Sequence, residues 1–318
     1  MDQTDAGVTA RPLWRRIADY PLVAMVIAVA VFILAAAAGI FITKAMPPMD
    51  KTLGSVIKGA IDVILVFAAY KLVIRHLGDQ PRDDLPLAKA PKGLGIGLLF
   101  GFLLFTLVVG VAAIADVYNI IGRGDASALI PALVSMAILP GFMEEMLFRG
   151  ILFRWLEEFG GSWFALALTA ALFGLGHIFN PGATILSSFA IALEAGVLLG
   201  GAYMLTRNLW MTMGLHAAWN FTQGEIFDVP VSGFDQHGLV QAQLSGPDLL
   251  SGGVFGLEAS LIAMILATAA GVALVVLAVR QSGAVPPRWV RQRLAREASL
   301  EETVGIDVDR DADLAAPV

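Results

Sequence analysis

The side chains of this sequence that could do chemistry lie in segments that are otherwise almost entirely apolar. Glu144 and Glu145 are adjacent near the end of one such segment, and His177 closes the next. His216 and Asn220 stand at positions i and i+4 in a third. Polar and ionisable side chains are costly inside a bilayer, so each of these residues is a candidate functional residue.

Helix geometry predicts different roles for the two glutamates. Adjacent residues of an α-helix point about 100° apart, so Glu144 and Glu145 cannot share one partner. Arg149 follows four residues after Glu145 and can hold that carboxylate charged and fixed. Glu144 is then free to face the interior of the bundle, where a carboxyl group can exchange protons with a reacting group.

The two histidine segments add complementary groups. His216 and Asn220 lie on one helix face and present an imidazole and an amide to the same point, while His177 adds a second imidazole one turn after Phe173. Together with Glu144, these groups could activate a water and stabilise an oxyanion. Glu144, His177 and His216 could equally bind zinc, which would leave the second glutamate as the base.

The elements that must position these residues are predicted to be membrane-spanning helices. Of the 318 residues, 57% are hydrophobic and 15% are charged, and the mean hydropathy is +0.75. A soluble domain has about 25% charged residues, so this chain is not an ordinary soluble globule. Eight apolar windows are candidate membrane spans: 22–42, 53–74, 93–115, 127–148, 163–179, 183–205, 209–222 and 259–279. They predict an all-α, polytopic membrane helix bundle.

Charge and cysteine content narrow the function further. The chain has no cysteine, which excludes disulfides, iron–sulfur clusters and thiol nucleophiles. The net charge of −6 argues against a nucleic-acid partner. With the N-terminus inside, 17 of the 21 lysines and arginines fall in inner segments, so both termini are predicted to be cytoplasmic.

This orientation divides the chain into a cytoplasmic N-terminal segment (1–21), a transmembrane domain (22–280) and a charged cytoplasmic tail (281–318). Residues 223–256 form a long outer loop without lysine or arginine. Helix lengths allow the polar set to converge inside the membrane, and we expect its cavity to open to the inner side. In the tail, Arg288, Trp289, Arg291 and Leu294 could lie on anionic headgroups, or they could form a simple positive-inside flank.

Three ordered motifs resemble those of a known protease family. They are EExxxR at 144–149, FxxxH at 173–177 and HxxxN at 216–220. This triplet is similar to that of the membrane proteases that cleave after prenylated CAAX cysteines and their bacterial relatives, the CPBP (or Abi) family. The resemblance covers about 127–222.

The resemblance implies an intramembrane endopeptidase that acts on lipidated or membrane-associated peptides in a multi-pass protein of the bacterial inner membrane. By this resemblance, Glu144 is the general base, His177 assists it, and His216 and Asn220 stabilise the oxyanion. The supporting residues are Glu145, Arg149 and Phe173. Members are described both as metalloproteases and as metal-free glutamate proteases, so a divalent metal such as zinc and a metal-free mechanism are both open.

Two other functions compete with proteolysis. The chain could be a proton-coupled transporter in which Glu144, Glu145, Glu194 and His177 relay protons. It could instead be a non-catalytic bacteriocin-immunity or scaffold protein. No internal repeat is visible, and the motif set is intact, so a protease is favoured.

Overall fold

Helices form most of the chain in a computed structural model that describes residues 11–78, 82–125 and 127–300. Parts of the predicted cytoplasmic ends, residues 1–10 and 301–318, lie outside the described residues. The main helices are α1 (Leu13–Ala18), α2 (Pro21–Lys44), α3 (Lys51–His76), α4 (Ala90–Ile114), α5 (Leu129–Ala132), α6 (Leu139–Glu145), α7 (Arg154–Gly176), α8 (Ile185–Ile191), α9 (Val197–Thr206), α10 (Leu209–Phe221), α11 (Asp248–Ser251) and α12 (Leu261–Ser282). A last described helix covers 288–300.

Five segments of the described chain are long and apolar enough to cross a membrane: Pro21–Lys44, Leu87–Ile114, Leu129–Phe179, Ile185–Thr206 and Leu261–Ser282. The third is 51 residues long and contains both windows predicted as the fourth and fifth spans. The predicted second span lies in the 26-residue helix α3, and the predicted seventh span is the 13-residue α10 followed by a π-helical turn. These segments support a membrane helix bundle, while the count of eight spans and the orientation stay predictions.

One small β-sheet accompanies the predicted helices. Strands β1 (Tyr118–Arg123) and β2 (Val240–Leu244) pair antiparallel, with a bulge between Ile120 and Gly122. The sheet joins the segment after α4 to the predicted outer loop 223–256. The strands are only six and five residues long, and they lie between apolar helices that dominate the hydropathy pattern.

Glycines let α4 and α10 pack at very short range. Gly97 and Gly101 lie one turn apart on α4, and a Cβ atom at Gly97 would stand 2.2 Å from the backbone oxygen of Met211. From the other side, a Cβ atom at Gly214 would stand 2.8 Å from the Leu94 oxygen. Small residues at helix contacts allow such close approach in membrane proteins. This contact fixes α10, the helix that carries His216 and Asn220.

A helical hairpin positions the other two candidate residues. The chain runs helically from Leu129 to Gly160 and turns at Gly161, which has φ 83° and ψ 172°, before α7 continues. Glu144 lies 17 residues before this turn, and His177 lies 16 residues after it. The rings of Phe148 and Phe173 meet across the hairpin, with centroids 4.9 Å apart. The two arms therefore bring Glu144 and His177 to the same height.

Buried charges hold the turn end of this hairpin. Glu157 accepts two hydrogen bonds from Arg207, at 2.6 and 2.8 Å, and one from the Ser162 hydroxyl at 2.7 Å. Asp84 is 1% exposed and accepts from Arg82 at 2.7 Å and from the Tyr203 hydroxyl at 2.8 Å. Arg82 comes from the loop between α3 and α4, and Tyr203 and Arg207 come from the end of α9. The hairpin turn therefore lies at the end of the bundle that carries these arginines, here called the basic end.

Four π-helical turns interrupt the helices around the polar set. They are Leu133–Ile138, Met146–Phe153, Ala192–Gly196 and Thr222–Ile226. A π turn inserts one extra residue into a helix, and such turns are frequent at functional sites. They contain Arg149 and Glu194, so they set the direction of two buried charged side chains.

Candidate active site

One cavity brings together the four residues that the sequence singles out as catalytic. It has a volume of about 370 Å³, and Glu144, His177, His216 and Asn220 all line it. The residues come from the hairpin arms and from α10. Phe148 and Phe173 contribute apolar walls. The arrangement provides a carboxyl group, two imidazoles and an amide around a space large enough for water and a peptide group.

A buried ion pair forms the base of this site. Arg149 donates to the Glu145 Oε1 atom at 2.7 Å, and both side chains are fully buried. Arg149 also donates to the backbone oxygens of Ala195 and Gly196, at 3.1 and 3.3 Å. Its guanidinium lies over the Phe173 ring, 4.8 Å from the centroid. The predicted i, i+4 pairing of Glu145 with Arg149 is confirmed, and it ties the hairpin to the helix turn 192–196.

The same carboxylate orients His216. Its Nδ1 atom lies 3.0 Å from Glu145 Oε1, and its side chain is 9% exposed. Because a carboxylate accepts hydrogen bonds, Nδ1 donates and the opposite nitrogen, Nε2, is left to meet a ligand. Glu145 thus connects Arg149 with His216 and sets the direction of the imidazole.

Glu144 faces the cavity rather than this ion pair. Its Oε2 atom is buried and has no hydrogen-bond partner, although the residue as a whole is only half-buried. The residue lines the cavity, so its carboxylate group is available to water or to a substrate N–H group there. The structure therefore separates the adjacent glutamates as the helix geometry predicts.

His177 is fixed by its own helix end. Its Nδ1 atom lies 2.7 Å from the backbone oxygen of Phe173, and the rings of these two residues have centroids 4.9 Å apart. A backbone oxygen only accepts, so Nδ1 carries the proton and Nε2 of the neutral ring is an acceptor. The Phe173 ring also meets His216 edge-on at 6.0 Å, and it separates the two imidazoles.

Asn220 is anchored through one of its amide hydrogens. Its Nδ2 atom donates to the backbone oxygen of Met136 at 2.9 Å, and the residue is 8% exposed. Met136 lies in the π-helical turn 133–138, where the irregular backbone can leave a carbonyl free for this bond. The second Nδ2 hydrogen remains for a ligand in the cavity.

Two buried carboxyl groups lie behind His216. Glu194 is 1% exposed and its Oε2 atom has no hydrogen-bond partner, while Glu258 is 3% exposed. Both line a chamber of about 30 Å³ that also borders His216 and Asn220, room for a single water. The backbone N–H of Ser232 donates to Glu258. Burial raises the pKa of Glu258 to about 7, so this group holds a proton more tightly than an exposed glutamate.

Sequence reasoning singled out Glu194 but missed Glu258. Glu258 precedes α12 in a 3₁₀ turn at the edge of an apolar window, where an acidic residue usually faces water. No signal in the sequence places it beside His216, because 42 residues separate the two positions.

The mouth of the cavity corrects one expectation. Asn180, Ser232 and Phe234 line the cavity, and the last two belong to the predicted outer loop 223–256. The hairpin turn at the basic end lies about 21 Å away, since 14 residues separate Ser162 from Gly176. The expectation of a cavity open to the inner side is therefore wrong if the predicted orientation holds, because the cavity lies at the opposite end of the bundle.

Zinc at Glu144, His177 and His216 stays a prediction. Within the described residues, no group of three His, Cys, Asp or Glu side chains is placed to hold a metal ion. His216 directs Nδ1 to Glu145, and His177 directs Nδ1 to its own backbone. These bonds leave Nε2 of each ring open to a substrate or to a metal.

Comparison with known proteins identifies the same segment. Residues 126–222 match the family model for Type II CAAX prenyl endopeptidase Rce1-like proteins. This match confirms the resemblance to the CPBP proteases, and it covers the two hairpin arms and α10. No curated protein and no solved structure matches the chain. The match implies a membrane endopeptidase that acts on membrane-associated peptides.

Proposed function

We propose that this protein hydrolyses peptide bonds of membrane-associated or lipidated peptides with a water activated by Glu144, without a metal. The observation that carries the proposal is the convergence of Glu144, His177, His216 and Asn220 on one cavity within the segment of the family match. The protein is an integral membrane protein, and we place it in the bacterial inner membrane with eight spans and both termini in the cytoplasm.

The hydrolytic step begins at Glu144. A water in the cavity gives one proton to the Glu144 carboxylate, which lines the cavity, while its oxygen attacks the peptide carbonyl carbon. His177 accepts a hydrogen bond at Nε2 from the other O–H of the water and so orients the attacking oxygen. Glu144 then delivers its proton to the leaving amine nitrogen as the C–N bond breaks.

His216 and Asn220 stabilise the oxyanion that forms in this step. Asn220 offers its second Nδ2 hydrogen, since the first is bound to Met136. His216 donates from Nε2 when its ring is protonated, and Glu145 pairs with the positive ring through Nδ1. Donors that are held in place before the reaction need no reorganisation as charge develops.

An apolar groove beside the site suits the non-reacting part of such a substrate. It has a volume of about 980 Å³ and lies on the other side of the α6 and α10 contact, where Phe142, Met213 and Ala217 line it. Its remaining walls come from α3 and α4, including Phe67 and Phe102. We assign it to the lipid chain or apolar segment that holds a substrate in the membrane.

The test compares peptide termini in membranes that contain wild type or Glu144→Gln at equal expression. We expect termini that are present with the wild type and absent with the variant, because the substitution removes the base and keeps the side-chain shape. Glu297→Gln is the matched control, since Glu297 is exposed and pairs only with Arg293 on the last helix. Both variants must show the wild-type thermal midpoint.

Identical termini in all three membranes would contradict proteolysis. An ion-dependent flux through proteoliposomes that needs Glu194 would then favour a transporter. Full cellular function of Glu144→Gln would favour a scaffold. A loss of activity on treatment with a metal chelator, restored by added zinc, would overturn the metal-free mechanism and leave the protease assignment standing.

A further inference from the structure

We propose that the basic end of the bundle carries a binding site for the phosphate headgroup of an anionic phospholipid, formed by Arg11, Arg16 and Arg288. This site lies at the opposite end of the molecule from the catalytic cavity. It is independent of the proteolytic function, and the geometry that points to it is a cavity with a cationic and an apolar half.

The cavity has a volume of about 570 Å³ and is bounded by α1, the start of α2 and the last helix. Arg11, Arg16 and Arg288 line it, and none of the described acidic residues does. Arg288 is held in place over the ring of Tyr20, with its guanidinium carbon 4.9 Å from the ring centroid. Three guanidinium groups around one space favour a phosphate, which accepts bidentate hydrogen bonds.

Arg16 brings to this cavity a positive charge that no described residue pairs with. Asp19 is the nearby carboxylate, and it is shared between Arg11 at 3.7 Å and Arg15 at 3.9 Å. The side chain of Arg16 is exposed and makes neither an ion pair nor a hydrogen bond within the described part of the chain. An anion in the cavity would therefore compensate the charge of Arg16.

The other half of the cavity is apolar and lies at membrane depth. Leu13, Ile17 and Val23 line it, and Val23 belongs to the first turn of a candidate membrane span. Leu13 is 70% exposed and Ile17 is 54% exposed. Apolar side chains that are open to the surroundings beside arginines fit an acyl chain below a phosphate, whereas a free phosphate would gain nothing from them.

Two exposed tryptophans lie on the helices that bound this cavity. Trp14 on α1 is 65% exposed, and Trp289 beside Arg288 is 58% exposed. Tryptophan is enriched where the headgroups meet the hydrocarbon core. A second basic cavity of about 400 Å³ shares Arg288 and adds Arg82 and Arg291, with Glu157 and Glu158 also on its wall. We assign the phosphate to the first cavity, of about 570 Å³, because the second has glutamates on its wall.

The test measures lipid binding by native mass spectrometry of the full chain, delipidated in detergent. The probes are dioleoyl phosphatidylglycerol, dioleoyl phosphatidylcholine and inorganic phosphate. We expect the wild type to prefer phosphatidylglycerol over phosphatidylcholine at least tenfold. In the double variant Arg11→Gln/Arg16→Gln we expect affinity for phosphatidylglycerol to fall by about 30-fold, since each basic side chain near a membrane surface contributes about fivefold.

Arg293→Gln/Arg296→Gln is the matched control, because it removes the same charge from the exposed side of the same end and should leave the preference intact. A preference for phosphatidylglycerol that is equal in both double variants would overturn the proposal. Occupancy by inorganic phosphate that displaces the lipid at equal concentration would overturn it in favour of a free-phosphate site. Both variants should keep the wild-type thermal midpoint without lipid, so a loss of binding is distinct from misfolding.

Discussion

At the scale of single residues, the site depends on how one carboxylate is shared. Glu145 pairs with Arg149 and also holds His216, so one residue fixes both the hairpin and the direction of the imidazole. Glu144 remains unpartnered in the cavity only because its neighbour takes these two partners. The two adjacent carboxyl groups therefore have different surroundings, because their side chains leave the helix in different directions.

We expect Arg149→Met to destabilise the protein by about 3–5 kcal/mol, because it leaves the Glu145 carboxylate buried without its ion pair. The double variant Arg149→Met/Glu145→Gln should recover most of this loss. Thermal midpoints in detergent measure both effects. A double variant as unstable as the single one would show that Arg149 acts through Ala195, Gly196 and Phe173 rather than through Glu145.

Asn220→Ala should lower kcat by about 10²–10³-fold and change KM little, because an oxyanion donor acts mainly in the transition state. The measurement uses the peptide identified from the Glu144-dependent termini. Asn119→Ala, in the exposed strand β1, is the control. An effect confined to KM would assign Asn220 to substrate binding instead.

Glu258 makes stability depend on pH. Its pKa is about 7 in the folded protein against an ordinary 4.5, so the folded state keeps a proton that the unfolded state has lost. This contribution is complete below about pH 4.5 and is lost as the pH rises through about 7. The thermal midpoint of the wild type should therefore fall more steeply over this interval than that of Glu258→Gln. Parallel curves would show that Glu258 does not hold its proton.

Contacts of the motif residues within one helix could be predicted from spacing because i and i+4 contacts are local. The Glu145–Arg149 pair is one example, and the direction of Glu144 into the cavity is another. The partners of His216, Asn220 and Glu258 could not be predicted. Their contacts with Glu145, Met136 and Ser232 span 71, 84 and 26 residues and depend on how the helices pack.

At the scale of elements, close helix contacts and one sharp turn build the site. The apolar windows predicted the helices well, since long charge-free stretches admit few other structures in a membrane. The π-helical turns and the two-stranded sheet were not predicted, because a single extra residue in a helix and a strand of five residues leave no periodic pattern.

Gly97→Ala tests the contact between α4 and α10. The new Cβ atom would lie 2.2 Å from the Met211 oxygen, so the helices must separate, and we expect a loss of about 1–3 kcal/mol. Gly95→Ala is a matched control two residues away, where a Cβ atom meets nothing within 4 Å. That control should be neutral or stabilising by up to about 1 kcal/mol, because alanine favours helix. Equal thermal midpoints for the two variants would contradict the tight contact.

At the scale of the whole molecule, the two ends of the bundle differ in chemistry. One end carries the buried charge network and the basic helix 288–300, and the other carries the β-sheet, the loop 223–256 and the mouth of the catalytic cavity. Charge counting predicted which end is basic. It did not predict the height of the cavity, because that height follows from the hairpin rather than from composition.

Labelling of single cysteines tests the orientation directly, since the chain has no cysteine of its own. Asp235→Cys, in the exposed part of the loop 223–256, should react with a membrane-impermeant maleimide added to intact cells. Ser299→Cys should react only after the cells are opened. The reverse pattern would place the cavity mouth on the cytoplasmic side and both termini outside.

The hairpin at Gly161 makes the length of its arms as important as their composition. Insertion of one residue between Glu144 and Gly161 would rotate the carboxyl group by about 100° and raise it by about 1.5 Å relative to His177. Every motif would still be present, yet the proposed general base would leave the cavity. We therefore expect related chains with the same activity to vary in the apolar residues of these arms but to keep the number of residues between the first two motifs.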